Sequence, residues 1–196
     1  MATVFSELLA HPGVEEVCEL RSPFGVMAFH GGNLEVGTDV IAEQAAELAG
    51  ASFYAVRQPA DLRWHIPSTA VQPSQSAALA AFIDHVEVVV ALHGYGRDGY
   101  WTTLLLGGGN RSLASHLAGA LRPSIEPHGY DVIDDLEAIP APLRGVHRAN
   151  PVNLPRGGGV QLELPPRIRG TTPLSKPEHT DALVTGLAEG IRTWST

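Results

Sequence analysis

The chain has little of several features that define whole classes of protein. Its 196 residues include a single cysteine, Cys18, which excludes an intramolecular disulfide and fits a reducing compartment. No apolar run approaches the roughly 20 residues that cross a bilayer. The first residues also lack the basic segment and long apolar run of a secretory signal. We therefore expect a cytoplasmic protein with no membrane partner.

Positive charge is also scarce. The 13 lysines and arginines are outnumbered by 21 aspartates and glutamates, which gives a formal net charge of −8. Nucleic-acid binding needs a concentrated basic face, so we expect no nucleic-acid partner. An anionic substrate would have to be attracted by local groups. The length suits one domain over residues 1–196, with the 44% hydrophobic content of an ordinary globular protein.

What is present is a histidine, two glycines and a carboxylate that follow an apolar stretch. Residues 26–29 predict a short buried strand, and Gly31 and Gly32 are expected to break it directly after His30. Ligands of open α/β sheets bind outside the carboxyl ends of the strands. The glycines would let the chain fold back, so that the Glu35 carboxylate converges with the His30 imidazole.

The same pattern of apolar strand, histidine and glycine occurs again at His93 and Gly94, after the apolar run 86–92. A catalytic Zn²⁺ site uses three nitrogen, oxygen or sulfur ligands from the protein and a water. We therefore predict that His30, Glu35 and His93 bind one zinc ion. The alternative for each histidine is a hydrogen-bonded structural role.

The elements around these motifs alternate between strand and helix. Thr38 is predicted to cap a helix over 40–48, and residues 52–57 predict the next strand. A strand, a helix and a strand in succession favour a right-handed parallel crossover. The β-branched run 86–92 is typical of the centre of a parallel sheet. The sequence thus predicts an α/β protein with a mixed, mainly parallel sheet.

Two loops carry candidate substrate contacts. His65 lies in the loop-rich segment 58–76 and could be a proton shuttle, a substrate contact or a packed surface histidine. Arg97 lies in the glycine-rich segment 94–100, which is suited to holding an anionic substrate beside the metal.

A third candidate follows the glycine turn 107–109, which opens a helix and predicts an anion site at the free backbone N–H groups. The turn matches neither the Walker nor the dinucleotide fingerprint. Arg111 could be a bidentate carboxylate clamp or a solvated arginine of the first helical turn.

Glu163 is the candidate general base. It lies in the alternating run 160–164, which predicts a strand with a polar face. A carboxylate beside zinc can take a proton from water and pass it to a leaving amine. The alternative is an exposed strand carboxylate.

Five blocks together resemble the phage-type poly-γ-glutamate hydrolase family, in the order of that family and over about residues 24–169. The blocks are HGGNLEVGT from His30 to Thr38, HIPST from His65 to Thr69, LHG from Leu92 to Gly94, GGGN from Gly107 to Asn110, and GVQLEL from Gly159 to Leu164. The first block and the Gln-x-Glu block are the most specific.

The resemblance implies a phage-related zinc metallopeptidase with a three-layer, carboxypeptidase-like α/β fold. It implies one Zn²⁺ held by His30, Glu35 and His93, with Glu163 as the base.

Further contacts to the carboxylates of a glutamate-containing substrate are expected from Arg97, Asn110 and Arg111, with His65 beside them. The expected activity is hydrolysis of an amide bond next to a glutamate-like carboxylate.

Two other functions stay open at this point. One is a cytoplasmic zinc deacylase or deformylase of small N-acyl amino acids, which keeps the chemistry and changes the substrate. The other is a non-catalytic carboxylate-binding protein on the same fold, against which the presence of Glu163 argues. If the substrate is an extracellular polymer, a phage-derived enzyme without a signal would be released by lysis.

Overall fold

The computed structural model describes residues 4–170, 177 and 179–195. Within them, the strands are β1 Glu15–Glu19, β2 Phe24–Gly32, β3 Ser52–Gln58, β4 Val88–Gly94, β5 Thr103–Leu106, β6 Asp131–Ile133 and β7 Gly159–Leu164. The α-helices are α1 Val4–Leu9, α2 Thr38–Ala49, α3 Ala77–His85, α4 Arg111–Ile125, α5 Pro166–Arg169 and α6 Thr180–Thr193. Short 3-10 turns cover Ser68–Ala70, Pro73–Gln75, Glu126–His128, Ala141–Leu143 and Pro151–Asn153.

The strands form one mixed sheet in the order β1-β3-β2-β4-β7-β5-β6. The four central strands β3, β2, β4 and β7 run parallel to one another. Strand β1 pairs antiparallel with β3, and β5 pairs antiparallel with β7 and parallel with β6. The predicted α/β class with a mixed, mainly parallel sheet is confirmed.

Side chains of alternate residues build two apolar layers on the two faces of the sheet. In β2, Val26 and Ala28 join the core under α2, α4 and α6, whereas Met27 and Phe29 join the core under α1 and α3. Both faces of the central strands are therefore covered, which explains why these strands are almost continuously apolar. The result is the expected arrangement of helix, sheet and helix layers.

The connections after β2 and after β4 run in opposite directions. Helix α2 leads from β2 to β3 on one side, whereas the chain after β4 leads to β5 on the other side of the sheet. The carboxyl ends of β2 and β4 thus flank a topological switch point, where no crossover covers the edge of the sheet. Such points are the common ligand-binding positions of open α/β sheets.

Two local predictions at this edge were wrong. Strand β2 does not break after His30 but continues through Gly32, because its register against β3 shifts between Ala28 and Gly31 and pairing then resumes. Helix α2 is not capped by Thr38, whose hydroxyl donates to the Glu35 carbonyl at 2.8 Å. The capping position is Gly37, which adopts a left-handed conformation.

None of the helices in the described residues is long and apolar enough to cross a membrane.

Candidate active site

Three polar side chains lie at the carboxyl ends of three adjacent parallel strands. His30 is on β2, His93 is on β4 and Glu163 is on β7, where Glu163 lies directly opposite His93. Their relative exposures are only 2%, 4% and 4%. Burial of such groups is costly unless they bind one another or a ligand, so their convergence makes this edge the candidate functional site.

The turn between β2 and α2 brings a fourth group, Glu35, back over this edge. Gly32 has a φ of +69°, and a Cβ there would lie 2.2 Å from the Gln58 carbonyl oxygen, so glycine is needed at this position. The Glu35 N–H donates to the His30 carbonyl at 2.9 Å. The turn therefore holds the Glu35 side chain against His30 and His93.

One nitrogen of each histidine and one Glu35 oxygen all lie within 4.8 Å of one another. Glu35 Oε1 is 3.0 Å from His30 Nδ1, and Glu35 Oε2 is 3.4 Å from His93 Nδ1. The backbone N–H of Gly94 donates to the same Oε2 at 2.9 Å. The predicted triad is brought together as one compact cluster.

The donor set fits a zinc ion. His30 Nε2 donates to the Ile66 carbonyl at 2.8 Å, because a carbonyl oxygen can only accept. The other ring nitrogen, Nδ1, faces Glu35 and is the one left to bind a metal, and a carbonyl partner of this kind is the usual outer-shell support of a metal-binding histidine. The buried Nε2 of His93 has no hydrogen-bond partner among the described residues.

Burial and mutual attraction shape the charge of this cluster. Burial acts to raise the pKa of Glu35, but the two histidines outweigh it and hold that pKa well below its usual range. Burial likewise acts to lower the pKa of His93, and attraction to Glu35 raises it instead. Glu35 is thus an ionised carboxylate, as a cation site requires.

Glu163 is held in a different environment. Burial raises its pKa to about 7, with repulsion from Glu35 in the same direction and attraction to His93 opposing it. Its Oε1 accepts a hydrogen bond from Gln161 Nε2 at 2.8 Å. A carboxyl group with a pKa near neutrality can both accept and release a proton during turnover.

These groups open into a cavity of about 470 Å³. The described residues that line it are His30, Glu35, His65, Pro67, Ser68, Thr69, His93, Gly94, Tyr95, Ala141, Pro142, Leu143, Gly145, Val146, His147, Asn150, Gln161 and Glu163. His65 lines this cavity, with its ring centroid 5.0 Å from that of His30, and its role as a substrate contact stays a prediction.

Three other predicted substrate contacts do not line this cavity. Arg97 is exposed on the loop after β4. Asn110 caps α4, accepting from the Leu113 N–H at 2.9 Å and donating to the Gly157 carbonyl at 2.9 Å. Arg111 donates to the carbonyls of Leu106, Gly108 and Asp134, so its guanidinium ties the glycine turn to neighbouring backbone.

Sequence reasoning gave no role to two residues that support the site. Gln161 belongs to the Gln-x-Glu block, and its two-residue spacing from Glu163, which places both side chains on one face of β7, could have indicated their contact. Arg169 had no signal in the sequence. Its guanidinium donates to the carbonyls of Val36, Leu164 and Tyr95, at 2.9, 3.2 and 3.5 Å, and so joins three segments around the cluster.

Comparison with known proteins gives one family. The model of a family described as poly-gamma-glutamate hydrolase matches residues 5–176. No curated protein is a significant match to the chain.

Solved structures share the fold. The structure of a bacteriophage poly-gamma-glutamate hydrolase is 22% identical, with a TM-score of 0.70 over 95% of this chain and 90% of that one. The zinc-free apo form of YNDL is also 22% identical, with a TM-score of 0.74 over 92% and 90% of the two chains. The gene product Atu2144 from Agrobacterium tumefaciens is 14% identical, with a TM-score of 0.54 over 91% and 92%.

Proposed function

Because the chain belongs to the poly-gamma-glutamate hydrolase family, we propose that it is a zinc-dependent hydrolase of γ-glutamyl amide bonds. The observation that carries this proposal is the cluster of His30, Glu35 and His93, whose ligand atoms lie within 4.8 Å. Glu163 lies beside it, opposite His93 in the sheet. Metal ligands and a neighbouring carboxylate are the groups that amide hydrolysis by activated water requires.

His30, Glu35 and His93 would hold one zinc ion, with the Ile66 carbonyl orienting His30. When bound, zinc lowers the pKa of its water towards about 7 and polarises the scissile carbonyl.

Glu163 acts as the general base and then as the general acid. Its carboxylate takes a proton from the attacking water and returns it to the nitrogen of the leaving amine, so that the amide C–N bond breaks without a strongly basic leaving group. The low exposure of Glu163 keeps bulk water from competing for this proton. The hydrogen bond from Gln161 leaves Oε2 as the proton-accepting oxygen.

The substrate we propose is anionic and contains glutamate. Its carboxylates would meet hydrogen-bond donors of the cavity wall, namely His65, Ser68 and Thr69. Arg97, on the exposed loop after β4, would attract the chain at longer range.

The direct test is the chain length of poly-γ-glutamate after incubation with the zinc-loaded protein. We expect shortening that a chelator abolishes and added zinc restores. An unchanged chain length, with zinc confirmed in the protein, would exclude poly-γ-glutamate as the substrate. Shortening in the chelated sample would exclude a zinc-dependent mechanism.

A second candidate is a deacylase of small N-acyl amino acids. It is favoured by an apolar wall of the cavity, formed by Ala141, Pro142, Leu143 and Val146, and by the lack of arginine or lysine among the described lining residues. Such a wall suits a neutral acyl group better than a polyanion. Release of free amino acid from N-acyl glutamate, with no shortening of the polymer, would favour this candidate.

A further inference from the structure

Two buried side-chain amides are linked to Glu163 by hydrogen bonds. Gln161 and Asn150 are 5% and 4% exposed, and both line the wall of the cavity. Asn150 Nδ2 donates to Gln161 Oε1 at 2.8 Å, and Gln161 Nε2 donates to Glu163 Oε1 at 2.8 Å. The three groups form a continuous buried chain of hydrogen bonds.

The direction of this chain is fixed by chemistry. When Glu163 is ionised, as it must be to act as the base, its carboxylate can only accept, so the NH₂ group of Gln161 must face it and the Gln161 oxygen must face Asn150. Asn150 is oriented in turn, because its Oδ1 accepts from the Val152 N–H at 3.3 Å. Neither amide can flip without placing two acceptors or two donors against each other, which is costly when the groups are buried.

The same amides also hold a segment of the cavity wall. Gln161 Nε2 donates to the Leu143 carbonyl at 3.4 Å, and Asn150 Nδ2 reaches the Gly145 carbonyl at 3.5 Å. Gly145 has a φ of +63°, and a Cβ there would lie 2.5 Å from Gln161 Oε1. The segment 141–150 is therefore packed directly on the amide that contacts Glu163.

We propose that Gln161, itself fixed by Asn150, is the positioning residue for Glu163 and couples the carboxylate to the cavity wall over 141–150. The proposal rests on the proposed function in so far as Glu163 is the base. By holding Oε1, Gln161 directs Oε2 towards the water whose proton is taken. A base that rotates freely about its last torsion would spend only part of its time in the reactive geometry.

The test compares the wild-type protein with Gln161→Met, which keeps the length of the side chain and removes both of its polar functions. We expect a crystal structure of Gln161→Met to show the Glu163 carboxylate rotated or disordered, with zinc content unchanged. We expect kcat to fall by about 10- to 100-fold, as for loss of an outer-shell partner. KM should stay within about twofold, because substrate binding does not use the lost bond.

Ser52→Ala is the matched control. Ser52 is buried, donates to the Ser22 carbonyl and accepts from the Arg21 N–H, and lies at the opposite end of the sheet. Its loss should lower the unfolding temperature and leave kcat unchanged. If Gln161→Met does not fold, Asn150→Ala tests the same chain of bonds, with a smaller expected loss of kcat and a mobile Gln161 amide.

The outcomes separate this proposal from the proposed function. If the wild-type protein leaves poly-γ-glutamate intact, the substrate assignment fails, while the position of Glu163 in the variant structure still decides the role of Gln161. If Glu163 keeps its position to within about 0.5 Å in Gln161→Met, or kcat is unchanged, the positioning role is wrong.

Discussion

Glu35 is the residue on which the geometry of the cluster depends. Its two oxygens face different histidines, and the Gly94 N–H donates to one of them. The carboxylate thus joins β2 to β4 through side chains as well as through the sheet. Removing one histidine still leaves Glu35 with the Gly94 N–H, and His30 keeps the Ile66 carbonyl whichever other member is removed, so changes at these residues should affect metal binding before they affect the fold.

His93→Ala tests the metal site. We expect the variant to lose zinc, because only two ligands would remain, and two ligands bind too weakly to retain the ion. Zinc content after gel filtration, measured by elemental analysis, checks this. His85→Ala is the control, since exposed His85 precedes the opposite end of the same strand and should leave the zinc content at one ion per chain.

Glu163→Gln tests the base. The amide keeps the size of the side chain but cannot accept the proton, so we expect turnover to fall by about 10²- to 10⁴-fold with zinc retained. Steady-state rates on a substrate that the wild-type protein cleaves, together with zinc content, measure both effects. Wild-type turnover in this variant would show that another group takes the proton.

At this scale the sequence predicted the reactive side chains better than their supports. His30, Glu35 and His93 follow a readable pattern, whereas the choice of Glu163 depended on the family resemblance, and the structure brings all four together. Arg111 could not be placed from the sequence, since an arginine in a first helical turn can face a ligand or backbone carbonyls equally well. The contact of the Ile66 carbonyl with His30 could not be predicted, because every residue carries a backbone carbonyl and the sequence does not distinguish one from another.

At the scale of elements, the turn from β2 to α2 is the part of the fold most sensitive to change. Strand β2 bulges between Ala28 and Gly31, and the chain then reverses within the few residues before α2. The continuation of β2 through Gly32 cannot be read from the two glycines alone, because they predict a break in the strand as readily as a shift in its pairing. The pairing with β3, which decides between them, is a long-range interaction.

Gly32→Ala tests this turn. We expect a loss of stability clearly greater than about 1 kcal/mol, because the left-handed conformation and a 2.2 Å approach to Gln58 both penalise the Cβ. Gly50→Ala is the matched control, since Gly50 has the same φ of +69° with nothing within 4 Å. Chemical denaturation of both variants measures the difference, and equal losses would show that the close approach does not matter.

Asn110→Ala separates a helix cap from a substrate contact. Because Asn110 caps α4, we expect the variant to lose about 1 kcal/mol of stability and to keep the KM of the parent protein. Asn110→Asp should recover much of the stability, since aspartate also caps helices well. A raised KM with unchanged stability would restore the substrate-binding role predicted from the sequence.

At the scale of the whole molecule, topology explains why the site lies where it does. The chain leaves β2 towards β3 on one side and leaves β4 towards β5 on the other, so the edge between His30 and His93 stays open. The alternation of strands and helices predicted this edge, but not that the polar face of β7 is buried in the cavity. That burial requires the segment 141–150, whose irregular backbone has no periodic signal.

Zinc should stabilise the whole chain through this site. A ligand that binds only the folded state adds about 2.7 kcal/mol at a free concentration 100 times its Kd. We expect one calorimetric transition, in keeping with the proposed single domain, that moves to higher temperature with zinc in the wild-type protein and not in His93→Ala. A shift of equal size in both proteins would assign the stabilisation to another site.

An anomalous diffraction map of crystals grown with zinc, recorded at the zinc absorption edge, tests the metal site without any assay. We expect one peak about 2.0 to 2.2 Å from a nitrogen of His30, an oxygen of Glu35 and a nitrogen of His93, with Glu163 beside it but not bound. A fully occupied zinc at other residues, or no peak among these three in zinc-saturated crystals, would contradict this assignment of the metal site.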